Sequence, residues 1–205
     1  EGQVRDDLLA RSEHRPVVHD PAALTAGAQR LFPAGFEEQR AAAIAASSRA
    51  TSVLTGGPGT GKTTAVAGLL ALLAADAEGR GTSLRIALTA PTGKAAARLQ
   101  QSVESAQTAD RFTDDDRRRL AGLGASTLHR LLGWRPDSRT RFRHHRANRL
   151  PYDVVVVDET SMVSLTMMAR LLEAVRPDAR LVLVGDPDQL ASVEAGAVLA
   201  DLVDG

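Results

Sequence analysis

One octapeptide constrains this chain more than any other stretch. Gly56 to Thr63 reads GGPGTGKT and follows the short run SVLT, Ser52 to Thr55. Glycines at these places let the backbone fold back so that its amide N–H groups converge on a β-phosphate. Lys62 then supplies charge to the β- and γ-phosphates, and Thr63 offers a hydroxyl to Mg²⁺. Such a loop works only between a strand and a helix, and the residues on either side meet that requirement. The expected nucleotide-contacting set is Gly57, Pro58, Gly59, Thr60, Gly61, Lys62, Thr63 and Thr64.

The rest of the chain alternates accordingly. Strands are expected at Ser52 to Thr55, Leu84 to Thr89, Asp153 to Val157 and Arg180 to Val184. These are short apolar runs without alternation, as in strands buried on both faces of a parallel sheet. Helices are expected at about Lys62 to Ala75, Gly93 to Ala106, Ser164 to Val175 and Ala195 to Val203. Strands alternating with helices predict an α/β fold, a mainly parallel sheet with helices on both faces, whose ligands sit at the carboxyl ends of the strands. Residues 110–149 interrupt the pattern and read as an insertion, while the first 35 show none and are expected to end a preceding region.

Composition excludes several classes. With 43% hydrophobic and 24% charged residues the chain has the make-up of a soluble globular protein. Its 25 basic residues cancel its 25 acidic ones, so any nucleic-acid surface must come from local clustering. The absence of cysteine rules out disulfides and thiolate metal sites, and is compatible with the cytoplasm. No histidine pair has metal-ligand spacing. The apolar run from Ala65 is far shorter than the ~20 residues of a membrane helix. Only Lys62 and Lys94 are lysines, the other basic residues all being arginine. A chain that writes arginine nearly everywhere has kept lysine where a compact ammonium is needed. Lys94 lies in PTGK, which is not a second phosphate loop, since position 88 is Leu and Ala95 follows the lysine.

Two further motifs end strands. DVVVV runs into Asp158 and Glu159; the first carboxylate can hold Mg²⁺ and the second can orient an attacking water. Extended backbone would point these neighbours to opposite sides, one to the metal and one to the γ-phosphate. After RLVLV comes GDPDQL, where Gln189 is a candidate γ-phosphate sensor, although the hexamer alone is also an ordinary turn. Between Arg135 and Arg149 lie six arginines, two histidines and a single acid, with Trp134 and Phe142 among them. Aromatic rings in a basic stretch suit base stacking and phosphate holding by Trp134, Arg141, Phe142 and Arg143. A solvated loop or a subunit-docking surface is the alternative. DDDRRR, Asp114 to Arg119, is neutral as a block and reads as a solvated helix start.

Taken in order, EEQRAAAIAAS, GGPGTGKT, TAPTGKAAARL, STLHRLLG, VVVVDETSM and LVLVGDPDQLASVEAGAVLADL resemble the motifs of superfamily one helicases of the 5′-to-3′ branch. RFRHH and QLASVEAGAVL are most similar to the RecD-like group, the α subunit of exodeoxyribonuclease V, over about Phe36 to Leu202. The resemblance implies a first RecA-like motor domain with ATP and Mg²⁺ as cofactors, single-stranded DNA as substrate, and RecB- and RecC-like subunits as partners. It implies that Gln39 reads the adenine and that Pro91, Thr92, Gly93, Lys94, Thr127 and His129 line the DNA track. It also implies a pin near residues 133–150. The second motor domain, with its arginine finger, is expected outside these residues, and without that finger hydrolysis would slow by ~10³ or more. A non-motor ATP switch in a DNA-processing complex and a conjugative relaxase-type helicase remain the alternatives. A small-molecule kinase leaves TAPTGK and STLHRLL unexplained.

Overall fold

The computed structural model describes residues 2–56, 61–137 and 142–186. Its centre is a five-stranded parallel sheet in the order β1-β5-β4-β2-β3. The strands are β1 Thr51–Thr55, β2 Ile86–Ala90, β3 Ala125–Thr127, β4 Val154–Val157 and β5 Arg180–Gly185. Four of them coincide with the apolar runs to within two residues at either end. The α/β expectation holds.

Valine repeats make sense of the sheet's two sides. In β4, Val154 and Val156 enter one core with Leu54, Leu88, Val182 and Val184, while Val155 and Val157 enter the other with Ala87, Leu181 and Leu183. Alternate side chains of one strand point to opposite faces, so an unbroken apolar run needs both faces covered. On the first face lie α2 Pro21–Leu31, α3 Glu37–Ser47, α4 Lys62–Gly79 and α5 Gly93–Ala106. The second carries α1 Gly2–Ser12, α7 Leu128–Leu132 and α8 Leu165–Ala174. Helix α4 is buried continuously from Ala65 to Ala74, as expected of a helix that is apolar all round. Phe32 packs onto it at Gly68, where its ring would stand 2.1 Å from an added Cβ, so glycine is favoured there. Among the described residues no helix is long and apolar enough to cross a membrane.

Two sequence expectations change. Residues 110–149 are not simply an insertion: β3 joins the sheet beside β2, Phe112 and Leu120 enter the first core, and Leu128 and Leu132 of α7 enter the second. Three residues, Ala-Ser-Thr, carry no apolar run from which a strand could be read. The first 35 residues, patternless in sequence, contribute helices to both cores through Val4 and Leu8 of α1 and Leu24, Ala28 and Leu31 of α2. Arg11 closes α1 and is buried, donating to Thr51 Oγ1 and to the carbonyls of Ala50, Arg176 and Ala179. Burial, then the nearby charge of Arg149, pulls this guanidinium down to about 10. The expected helix Ala195 to Val203 lies outside the described residues.

Candidate functional site

Every expected site residue that is described lies at the carboxyl edge of the sheet or on an element packed beside it. Following the strand order, the tips of β1, β5 and β4 stand side by side, then those of β2 and β3. Neighbouring strands are ~4.8 Å apart, so the whole row measures about 20 Å.

At the first tip Gly61 adopts a left-handed conformation (φ 81°) and Lys62 and Thr63 begin α4. That helix has 18 residues, and its N-cap residue, Gly61, supplies no side-chain cap. An uncapped helix N-terminus is a site for an anion. Gln39, from α3, lies against it: a Cβ on Gly61 would be 3.0 Å from Gln39 Nε2. The helix that carries the adenine candidate is thereby packed against Gly61, 22 positions further along the chain. Gly57, Pro58, Gly59 and Thr60 lie outside the described residues.

The carboxylate pair is held differently from expectation. Asp158 continues β4, its N–H donating to Thr89 O of β2 at 2.9 Å. Glu159 is then left-handed (φ 51°, ψ 44°), alone among the described non-glycine residues in having positive φ, and leads into a 3-10 turn at Thr160–Met162. The two carboxylates are therefore separated by a reversal of the backbone and not by strand alternation. Conformations of this kind cost of order 1–3 kcal/mol and persist where the surroundings fix them. Glu159 N–H donates to Asp158 Oδ1 at 2.8 Å, and Met162 N–H to Glu159 O at 3.0 Å. Thr160, not singled out in the sequence, is buried and directs its hydroxyl at Val157 O (3.1 Å) and Val184 O (3.0 Å). β5 ends at Gly185 beside this turn, and Gln189 lies outside the described residues.

An oxygen-only donor set of a hydroxyl (Thr63) and a carboxylate (Asp158) suits Mg²⁺, a hard cation. Among the described residues no three His, Cys, Asp or Glu side chains gather into a cage of their own. Mg²⁺ typically fills its remaining positions with substrate phosphates and water.

The other two tips have matching endings. Thr92, after Ala90 and Pro91, caps α5, its hydroxyl oxygen accepting from Ala95 N–H at 3.1 Å. Thr127, at the end of β3, caps α7 by accepting from Arg130 N–H at 3.2 Å. Each hydroxyl keeps its proton to donate outward. Gly93, Lys94 and His129 are exposed beside these caps. The basic stretch returns to this point: Trp134 and Phe142 form an antiparallel bridge, and Arg143 N–H donates to Gly133 O at 3.0 Å. Gly133 is left-handed (φ 71°), and a Cβ there would lie 2.6 Å from Arg143 Cβ, so glycine is required twice over. His129 meets Trp134 edge-on, centroids 6.4 Å apart, and Phe142 at 6.1 Å. Trp134 remains 48% exposed, leaving apolar ring surface available for stacking. Arg141 lies outside the described residues.

A family model described as an AAA domain matches residues 39–195. Over its whole length the chain is 69% identical to the RecBCD enzyme subunit RecD of Mycolicibacterium smegmatis, of which it spans 36%. It is 62% identical to the RecBCD enzyme subunit RecD of Mycobacterium tuberculosis, spanning 34% of that protein. Over 73% of the chain it is 45% identical to the ATP-dependent RecD2 DNA helicase of Deinococcus radiodurans, covering 17% of it. The chain spans about a third of the length of the first two relatives.

Proposed function

Since this chain belongs to the AAA domain family, we propose that it is the first motor domain of an ATP-dependent DNA helicase of the RecD type, moving 5′-to-3′ within a RecBCD-like complex. One observation carries the proposal. A single sheet edge presents phosphate-loop and carboxylate chemistry on β1, β5 and β4, and two capped helix starts with an exposed aromatic and basic cluster on β2 and β3.

The roles follow from the chemistry of each group. Lys62 and the first N–H groups of α4 hold the β- and γ-phosphates, and Gln39 reads the base. Thr63 and Asp158 would hold Mg²⁺, which when bound neutralises charge on the phosphates. Glu159 orients a water in line with the γ-phosphorus and accepts its proton. Gln189 senses the γ-phosphate. On the other half, Thr92, Gly93, Lys94 and Thr127 hold DNA phosphates, while His129, Trp134 and Phe142 offer faces to unstacked bases, flanked by Arg141 and Arg143. The DNA contacts of β2 reach the carboxylates by one backbone step, the bond from Asp158 N–H to Thr89 O. A second motor domain supplies the arginine finger, and RecB- and RecC-like subunits complete the complex.

The test is ATP turnover by the full-length protein with and without oligo-dT, with Lys62→Ala as the blank. Stimulation that vanishes in the variant is the expected result. Turnover indifferent to oligo-dT would overturn the motor and leave an ATP switch.

A further inference from the structure

We propose that Thr160 is a positioning residue for hydrolysis, whose hydroxyl fastens the turn carrying Asp158 and Glu159 to the strand leading to Asp186. The inference rests on the ATP-hydrolysing reading above and adds a residue to it.

The pairing of β4 with β5 ends at Val157 and Leu183, while β5 runs on through Val184 and Gly185 beside β1. Beyond the last pair the Thr160 hydroxyl supplies the donor that β4 lacks, reaching Val184 O at 3.0 Å and Val157 O at 3.1 Å. A hydroxyl has one proton, so it is shared between the two carbonyls. Thr160 is 2% exposed, and water does not replace the bond easily. On the other side the turn hangs from β2 through Asp158 N–H and Thr89 O. Between these two attachments stands Glu159, in the one left-handed non-glycine conformation among the described residues. A strained residue keeps its geometry only where neighbours fix it, and Thr160 is the next residue in the chain.

Removing the hydroxyl frees the turn to relax and moves the Glu159 carboxylate relative to the γ-phosphate. Nucleotide contacts stay in place, because Thr160 is buried beneath the site. Turnover therefore falls while ATP affinity does not, and a displacement near 1 Å is enough to lower kcat by up to about 100-fold.

The experiment compares Thr160→Ser, Thr160→Ala and the isosteric Thr160→Val in the full-length protein. It measures kcat and KM for ATP with and without oligo-dT, binding of a fluorescent ATP analogue, and thermal melting. Serine and alanine differ only by the hydroxyl, so this pair decides even if valine fails to fold. The expected result is a kcat for Thr160→Ser within about twofold of the unmodified protein and a kcat for Thr160→Ala about 10–100-fold lower, with KM and analogue binding unchanged. Equal turnover in the serine and alanine variants, or a loss confined to KM, would overturn the inference. Hydrolysis by the unmodified protein that ignores oligo-dT would sink the motor reading alone, and the Thr160 series would still be decided on the DNA-free rate. No hydrolysis at all in the unmodified protein would overturn both.

Discussion

At the scale of single residues, Glu159 joins two demands that a strand end would not ordinarily combine. Its carboxylate is the base in the mechanism we propose, and its backbone stands where glycine is the easier choice. Glu159→Gln keeps the shape and removes the base, so nucleotide binding stays and hydrolysis drops by about 10²–10⁴-fold. Glu159→Gly also loses hydrolysis, yet its melting temperature is at or above that of the unmodified protein, because relief of the left-handed strain, about 1 kcal/mol, offsets the added freedom of the unfolded chain. Parallel ATPase and melting measurements on the two variants check this. A glycine variant clearly less stable than the glutamine one would show that the turn is not strained. The place of Glu159 at the end of β4 was legible from the four valines before it. Its reversal was not, because the hydrogen bonds at Thr160 and Asp158 that hold the turn come from strands distant in sequence.

At the scale of elements, the short helix α6, Asp114–Arg119, shows how a charged block is used. DDDRRR reads as a solvated helix start, and three of its charges, Asp114, Asp115 and Arg118, are exposed. Asp116, however, is fully buried, closing a capping box with Thr113 and pairing with Arg30 of α2 at 2.7 Å. Arg118 and Arg119 reach Glu78 on α4. The block thus clamps α2 and α4 together, which its neutral composition did not reveal. Burial alone would raise the Asp116 carboxyl, but the bonds from Arg30 and Thr113 outweigh it and hold it below the usual range. A carboxyl depressed in the folded state contributes stability above its unfolded value, near 3.9, and that stability is lost as pH falls through the lower folded value. Asp116→Asn should therefore lower stability at pH 7 by about 2 kcal/mol and lose less on further acidification below about pH 4. Urea unfolding at the two pH values measures both, and equal acid sensitivity in the two proteins would contradict it.

At the scale of the whole molecule, the sheet edge orders the chemistry. Long apolar runs made four strands and three of the helices legible, and the phosphate-loop, PTGK and Asp158–Glu159 motifs could be placed because each follows one of those strands. What stayed hidden had weak local signal. β3 has three residues and none of the large apolar side chains that mark its neighbours, and the charged α1 buries only Val4, Leu8 and Arg11. The gathering of His129, Trp134 and Phe142 depends on a bridge closed over Gly133, which no spacing in the sequence announces. The central claim of the proposal is that this edge separates into a nucleotide half and a DNA half. It is tested most directly by titrating ATP turnover of the full-length protein with oligo-dT in Lys62→Ala and Lys94→Ala. The account predicts that Lys62→Ala binds oligo-dT normally but hydrolyses nothing. Lys94→Ala should keep its DNA-free turnover, need more oligo-dT for half-maximal stimulation, and show a salt dependence of binding shallower by about one unit. If Lys94→Ala loses its DNA-free turnover, or Lys62→Ala its grip on DNA, the two halves are not the separate sites described here.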